Sequence, residues 1–360
     1  MKTVKRSVLF RHNAILNITI LSLVMGIVCI QSKAHSNNYQ YDQYKSEYTR
    51  LRQLGDRSMN EGAPRDALEY YKKALELCRI SGGRNAQAII IGNIGVALAE
   101  LGDQQAAIEH YLIALKIYEE LDNKMEYGNT LSNLGVSYNE MGQYDKAIEY
   151  HLQALYIADK VGSTERRGYA ISNIGAAYVA KGEIAEGIKY LDESLQIWQQ
   201  LGRVSEAAQT LSNIGSLYKK LGDRIKARET LLISLNLSKK VNSIIDYANT
   251  LNTLGVLNLE DKMYSQAFAC FTESLNISQK QGYILGVAQA YFNLGVYYAG
   301  IKESQNALKY LEDSKQLYYK LQNPNSAAKA EKKIAEIQGA IQKKSQDSVP
   351  IKRNTKKNQS

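Results

Sequence analysis

The sequence predicts an all-α protein, a right-handed α-solenoid of about seven helix-turn-helix repeats with a C-terminal capping helix. Three regularities predict it: a glycine every 40 residues, a second glycine seven residues later, and a small residue five further on. A fixed period of this size is typical of architectures in which similar repeats stack on one another. The first set of glycines is Gly55, Gly95, Gly135, Gly175, Gly215, Gly255 and Gly295.

The third repeat shows how these positions predict two antiparallel helices. One apolar face of a first helix recurs at helical spacing, at Leu131, Leu134, Gly135 and Tyr138. Gly142 ends this helix, because glycine readily adopts the left-handed conformation of a C-terminal cap. The apolar face of the second helix is formed by Ala147, Ile148, His151, Leu155 and Ala158. Gly162 ends that helix.

The positions of Gly135, Gly142 and Ala147 resemble those of the tetratricopeptide repeat. That repeat is usually about 34 residues long, and the 40-residue period here implies longer helices. In this respect the chain resembles the subgroup found in kinesin light chains, G-protein signalling modulators and many bacterial regulators. The resemblance covers roughly residues 41–342. It implies a non-enzymatic scaffold whose first helices line a concave face that binds peptides.

We expect four segments along the chain. Residues 1–34 are a signal peptide or N-terminal anchor, residues 35–330 the repeat array, residues 331–344 the capping helix and residues 345–360 a disordered basic tail. The tail is rich in Lys, Asn, Ser and Gln, a composition that does not support a packed core. It either solubilises the chain end or makes a weak contact with an anionic surface.

The first 34 residues have the pattern of an export signal. A basic start precedes an apolar run, and Ser32-Lys33-Ala34 fits the small-x-small rule for cleavage after Ala34. The alternative is an uncleaved anchor formed by residues 13–30, which are just long enough to span a bilayer. Both interpretations place the array outside the cytoplasm, periplasmic or secreted, because the basic residues are concentrated before the apolar run.

The net charge of +9 lies at the two ends of the chain. Residues 1–34 carry +5 and residues 343–360 carry +5, so the array between them carries −1. A nearly neutral array does not form the basic groove of a nucleic-acid-binding protein, and we expect no nucleic-acid partner.

No residue pattern predicts catalysis, a cofactor or a metal site. After the leader the chain has three histidines, His35, His110 and His151, and no pair has metal-ligand spacing on one helix. We expect His110 and His151 to be packing residues. Cys78 and Cys270 lie five repeats apart, too far for a disulfide within the chain.

A row of asparagines two residues before the repeat glycine is the candidate peptide-binding site. A carboxamide both donates and accepts hydrogen bonds, so it can hold the backbone of a peptide. The family resemblance implies the same role, whereas the alternative is a hydrogen bond that fixes the angle between repeats. The row consists of Asn93, Asn133, Asn173, Asn213 and Asn293, and repeat six has Thr253 instead.

Two lysines add a charge pattern to this site. Lys219 and Lys220 lie at the end of the first helix of repeat five. The corresponding positions of earlier repeats hold Glu100, Asn139 and Glu140. We therefore expect a groove that is acidic at one end and basic at the other, which orients an asymmetric ligand. Asn139, Lys219 and Lys220 complete the candidate site.

Taken together, these features predict an exported protein-protein interaction scaffold that binds a peptide or protein segment in its concave groove. Two alternatives fit the same repeats. One is a regulatory sensor in which peptide binding changes the pitch of the solenoid. The other is an envelope component that self-associates through its end helices.

Overall fold

The computed structural model describes residues 41–321 and 323–347. The described residues are helical with short turns and contain no strand. The predicted leader and cleavage site, and residues 348–360 of the basic tail, lie outside the described part. No helix within it is long and apolar enough to cross a membrane.

The chain divides into two compact halves, residues 1–162 and 163–360. The helices of the N-terminal half are α1 (41–60), α2 (Pro64–Ser81), α3 (Arg84–Glu100), α4 (Gln104–Glu120), α5 (Lys124–Glu140) and α6 (Tyr144–Lys160). The next six helices, all in the C-terminal half, are α7 (Thr164–Lys181), α8 (Ile184–Gln200), α9 (Val204–Lys220), α10 (Arg224–Lys240), α11 (Ile244–Glu260) and α12 (Tyr264–Lys280). That half ends with α13 (Ile284–Gly300), α14 (Ser304–Lys320) and α15 (Pro324–Asp347).

Consecutive helices pack in pairs, one pair per 40-residue repeat, as the sequence predicts. The pairs run from α1 and α2 to α13 and α14, and α15 packs against the last pair. This last helix is longer than the predicted capping segment 331–344 at both ends. The fold is therefore the predicted all-α solenoid of helix-turn-helix repeats with an extra C-terminal helix.

Each repeat glycine lies where a large side chain of the second helix meets the first helix. A Cβ atom added at Gly95 would overlap the ring of Tyr111, and one at Gly135 would overlap the ring of His151. In repeat four a Cβ atom at Gly187 would lie 2.8 Å from the carbonyl oxygen of Gly175. Glycine recurs every 40 residues because the two helices of each repeat approach too closely there for a side chain.

Left-handed residues end most of the helices, as predicted from the turn glycines. Gly102 has φ +85°, and its N–H donates to the carbonyl oxygen of Ala99 at 2.9 Å. Gly82 differs: its φ is −96°, so the end of repeat one is extended. Four residues other than glycine also have positive φ in the described chain: Asp122, Asn242, Lys262 and Lys302.

The histidines and cysteines lie in the helical packing. His151 is 2% exposed beneath Gly135, and burial lowers its pKa to about 4. Its ring therefore packs in the neutral form, in the position that Leu191, Leu231 and Leu311 occupy in later repeats. Cys78 is buried, Cys270 is half-buried, and both are free thiols.

Replacing Lys262 with glycine should stabilise the array. Lys262 has φ +61°, a conformation that costs a residue with a Cβ atom about 1 kcal/mol. We expect Lys262→Gly to raise the free energy of unfolding, measured by urea denaturation, by up to about 1 kcal/mol. Lys302→Gly, at φ +69°, should act in the same way. Lys309→Gly, inside α14, should destabilise by about 1 kcal/mol. An unchanged or lower stability of Lys262→Gly would contradict this account.

His151 should make the N-terminal half sensitive to acid. The unfolded chain takes up a proton at His151 near pH 6.5, whereas the folded chain does so only near pH 4. The contribution of the neutral ring is therefore complete above pH 6.5 and is lost as the pH falls towards 4. The unfolding free energy of the wild type should fall by about 3 kcal/mol more than that of His151→Leu across this window.

Denaturant titrations at a series of pH values measure this difference. Tyr111→Leu, at the equivalent position of repeat two, is the control, because a tyrosine does not titrate in this range. Its pH profile should run parallel to that of the wild type. If His151→Leu also runs parallel, His151 is not the acid-sensitive group.

Candidate functional site

The first helices form the inner side of each half. In the C-terminal half α9 packs against α11, and α11 packs against α13. The second helices α10, α12 and α14 make no comparable contacts with one another. First helices that touch while second helices spread apart curve the stack within this half, so that α9, α11 and α13 line its concave side. We call this surface the first-helix face.

Two asparagines of the predicted row bond to the preceding repeat. The amide of Asn93 donates to Oδ1 of Asp56 at 3.2 Å, and the same oxygen accepts the hydroxyl of Tyr71 at 2.8 Å. The amide of Asn293 donates to Oδ1 of Asn252 at 3.2 Å. At these two positions the side chains link neighbouring repeats, the alternative role considered from the sequence.

The three central asparagines of the row differ from these two. Asn133, Asn173 and Asn213 have no side-chain hydrogen bond to another described residue. Asn213 is exposed, and Asn133 and Asn173 are half-buried. Their carboxamides are therefore open to hydrogen bonds with a ligand, and their role in peptide binding stays a prediction.

Asn139, Lys219 and Lys220 lie at the ends of first helices. Oδ1 of Asn139 is buried and has no hydrogen-bond partner among the described residues. Lys219 pairs with Glu260 of the next repeat, its Nζ 3.2 Å from Oε1. Lys220 is exposed and has no carboxylate within 4 Å in the described part of the chain. The predicted basic end of the groove therefore carries one lysine that is neutralised locally and one that is not.

A cleft of about 490 Å³ opens on the first-helix face of the C-terminal half. It spans three repeats and brings together three members of the predicted site, Lys219, Lys220 and Asn293. Carboxamides from α11 and α13 and apolar side chains that include Val256 and Phe292 also line its wall. The additional lining residues are Ser216, Leu217, Asn249, Asn252, Thr253, Val256, Gln289, Phe292 and Tyr318.

One buried polar group of the cleft lining has no partner among the described residues. Asn252 is 5% exposed, and its Nδ2 has no hydrogen-bond acceptor among the described residues. Tyr318, mostly buried in α14, has its pKa raised to about 12 by burial, so its phenol is a neutral donor at physiological pH. A buried amide donor without a partner costs free energy that a bound carbonyl or carboxylate oxygen recovers.

The row pattern did not identify the carboxamides at Asn249, Asn252 and Gln289. They lie outside the position two residues before the repeat glycine and occur in repeats six and seven. Helical spacing does mark them, since Asn249, Asn252, Thr253 and Val256 fall at i, i+3, i+4 and i+7 on α11. A row of polar side chains at this spacing on one helix is a signal of a binding surface.

Among the described residues, no group of three His, Cys, Asp or Glu side chains lies close enough together to hold a metal ion. The groups around the cleft are amides, hydroxyls and ammonium groups. Such groups bind polar and anionic ligands through hydrogen bonds.

Comparison with known proteins identifies the repeat. A family profile described as Tetratricopeptide repeat matches residues 51–120, 169–240 and 245–337, and a second profile with the same description matches residues 128–160. No curated protein matches the chain.

Solved structures of similar fold come from bacterial proteins, among others. Aspartyl phosphate phosphatase F from Bacillus subtilis is 16% identical, with a TM-score of 0.63 over 77% of this chain and 72% of that one. The apo form of the quorum sensor NprR from B. thuringiensis is 15% identical, with a TM-score of 0.53 over 82% and 87%. A Rap protein complexed with competence and sporulation factor is 14% identical, with a TM-score of 0.52 over 85% and 99%. At these identities the likeness concerns the fold.

Proposed function

Because this chain belongs to the tetratricopeptide repeat family, we propose that it is a non-catalytic interaction protein that binds a peptide segment on its first-helix face. The observation that carries this proposal is the 490 Å³ cleft, where carboxamides and lysines from successive first helices converge. Fold likeness to a quorum sensor and to a Rap protein in complex with a factor supports the same class.

A polypeptide suits this surface better than a small molecule. The carboxamides that line the cleft come from two successive first helices, α11 and α13, and each offers both a donor and an acceptor. A peptide backbone presents N–H and C=O groups at regular intervals, so successive amides can bond to successive residues. Within the C-terminal half, Asn173 and Asn213, which have no hydrogen-bond partner among the described residues, supply such contacts outside the cleft.

The charges of the cleft favour an acidic residue in the peptide. Lys219 and Lys220 both line it, and Glu260 neutralises the first of them. The second leaves a positive charge beside the amides of α11 and α13. Val256 and Phe292 provide an apolar patch for a neighbouring side chain. We therefore expect the preferred segment to contain an acidic residue next to an apolar one.

Selection from a random peptide library tests this preference. We expect the full chain to enrich peptides with an acidic residue beside an apolar one, and Lys220→Glu to weaken their binding, measured by fluorescence anisotropy, about tenfold or more. Lys240→Glu is the matched control: it makes the same charge change at the exposed end of α10, outside the cleft. It should leave the affinity unchanged.

The asparagine row has its own variant in this experiment. The triple substitution Asn133/Asn173/Asn213→Ala removes no hydrogen bond among the described residues, so its melting curve should match that of the wild type. It should nevertheless weaken peptide binding. Equal binding by the triple variant, or equal effects of Lys220→Glu and Lys240→Glu, would place the peptide elsewhere on the protein.

Export of the array is a second part of the proposal, supported by the leader pattern of residues 1–34. Expressed in a bacterial host, the wild type should lie outside the cytoplasm and begin at His35, as read by N-terminal sequencing. Ala34→Lys, which breaks the small-x-small rule, should accumulate as an uncleaved membrane-bound precursor. An uncleaved wild type held in the membrane would favour the anchor, and a cytosolic array would contradict export.

A further inference from the structure

One position near the end of the second helices varies in size from repeat to repeat. In repeats four and seven it holds Trp198 and Tyr318, both buried. Trp198 packs over Gly168, and its ring centroid lies 4.8 Å from that of Tyr169. In repeats five and six the same position holds serine. Along the chain it reads Cys78, Tyr118, Ala158, Trp198, Ser238, Ser278 and Tyr318.

The serine of repeat five borders a cleft at the position where three other repeats place a ring. Ser238 lines a cleft of about 350 Å³ between α10, α11 and α12, at the opposite end of these helices from Lys219 and Lys220. In repeat six the ring of Tyr283 lies beside Ser278, both against Gly286. The residue equivalent to Tyr283 in repeat five is Ser243, which is too small to occupy the same space.

The walls of this cleft suit an aromatic ring. Ile244, Tyr247 and Ile277 supply apolar surface from α11 and α12. A volume of this size lies within the range of small-molecule sites, about 300–1,000 Å³. Because an indole fills the equivalent position in repeat four, the geometry between the helices is compatible with a ring.

A buried hydroxyl lines the cleft without a partner. Ser238 is fully buried, and its Oγ has no hydrogen-bond partner among the described residues. Ser234, one turn earlier, donates its hydroxyl to the carbonyl oxygen of Ala208 at 2.7 Å. Ser238 therefore offers a ligand both a donor and an acceptor beside the apolar side chains of Ile244 and Ile277.

The charged groups of the cleft favour an anion. Lys239 and Lys280 line it, are exposed, and have no carboxylate within 4 Å among the described residues. The lining carboxylate, Glu273, accepts the hydroxyl of Tyr247 at 2.7 Å. The first turn of α11 begins at Ile244, also in the cleft, and the amide groups of a helix N-terminus attract negative charge.

We infer that this cleft is a binding site for a small aromatic carboxylate. The ring lies between Ile244 and Ile277, an N–H of the ring donates to Oγ of Ser238, and the carboxylate faces Lys239 and Lys280. The site is separate from the first-helix face and does not depend on the proposed peptide binding.

Calorimetric titration of the full chain with indole-3-acetate tests this site. We expect a dissociation constant below about 1 mM. Indole-3-acetamide, which has the same ring without the charge, should bind about tenfold more weakly, and acetate should give no measurable heat. Absence of binding by indole-3-acetate, or equal binding of the acid and the amide, would overturn the inference.

Two variants locate the probe. Ser238→Tyr puts in repeat five the ring that repeat seven carries and should abolish binding while the protein melts at an equal or higher temperature. Lys239→Ala/Lys280→Ala should weaken binding of the acid about tenfold and leave that of the amide unchanged, and Lys240→Ala is the control outside the cleft. If Ser238→Tyr does not fold, the affinities of the lysine variants show whether the probe binds in this cleft. Unchanged affinity in the double lysine variant would place the carboxylate elsewhere.

Discussion

The close approach of two helices at one glycine is the contact on which every repeat depends. Tyr71, Tyr111, His151, Phe271 and Leu311 all press on a backbone that has no side chain. A methyl group there would overlap those rings and branches, so the helix pair would have to separate. Because each pair within a half supplies the surface on which the next one packs, the spacing within one repeat also sets the spacing between repeats of that half.

The sequence was sufficient for the repeats and insufficient for the contacts between them. Glycine spacing predicted the helix pairs because an identical local packing problem is solved seven times. The partners of Asn93 and Asn293, by contrast, depend on which side chain the preceding repeat places opposite them, Asp56 in one case and Asn252 in the other. The period alone does not contain that information, and the same asparagine therefore has different partners in different repeats.

Departures from the repeat mark both proposed sites. The first-helix cleft includes Thr253, which replaces the row asparagine, and Asn252, whose amide lacks an acceptor among the described residues. The second cleft is lined by Ser238 at a position that holds Trp198 in the preceding repeat. Residues that keep the period hold the array together, whereas residues that break it shape surfaces particular to this protein. For a repetitive fold, the most informative positions are those at which one copy differs from the others.

Several of these departures fall in one stretch of the array. Repeats five and six contain the left-handed Lys262 together with the unpartnered buried groups of Ser238, Asn252 and Ser278. In a linear array each repeat contacts only its neighbours, so each such feature lowers the free energy needed to open its own repeats. Both clefts lie along this stretch. A ligand bound in either cleft would stabilise these repeats, because a ligand that binds only the closed form shifts the equilibrium away from local opening. Binding of a ligand in a cleft would therefore be detectable as protection of the neighbouring repeats from local unfolding.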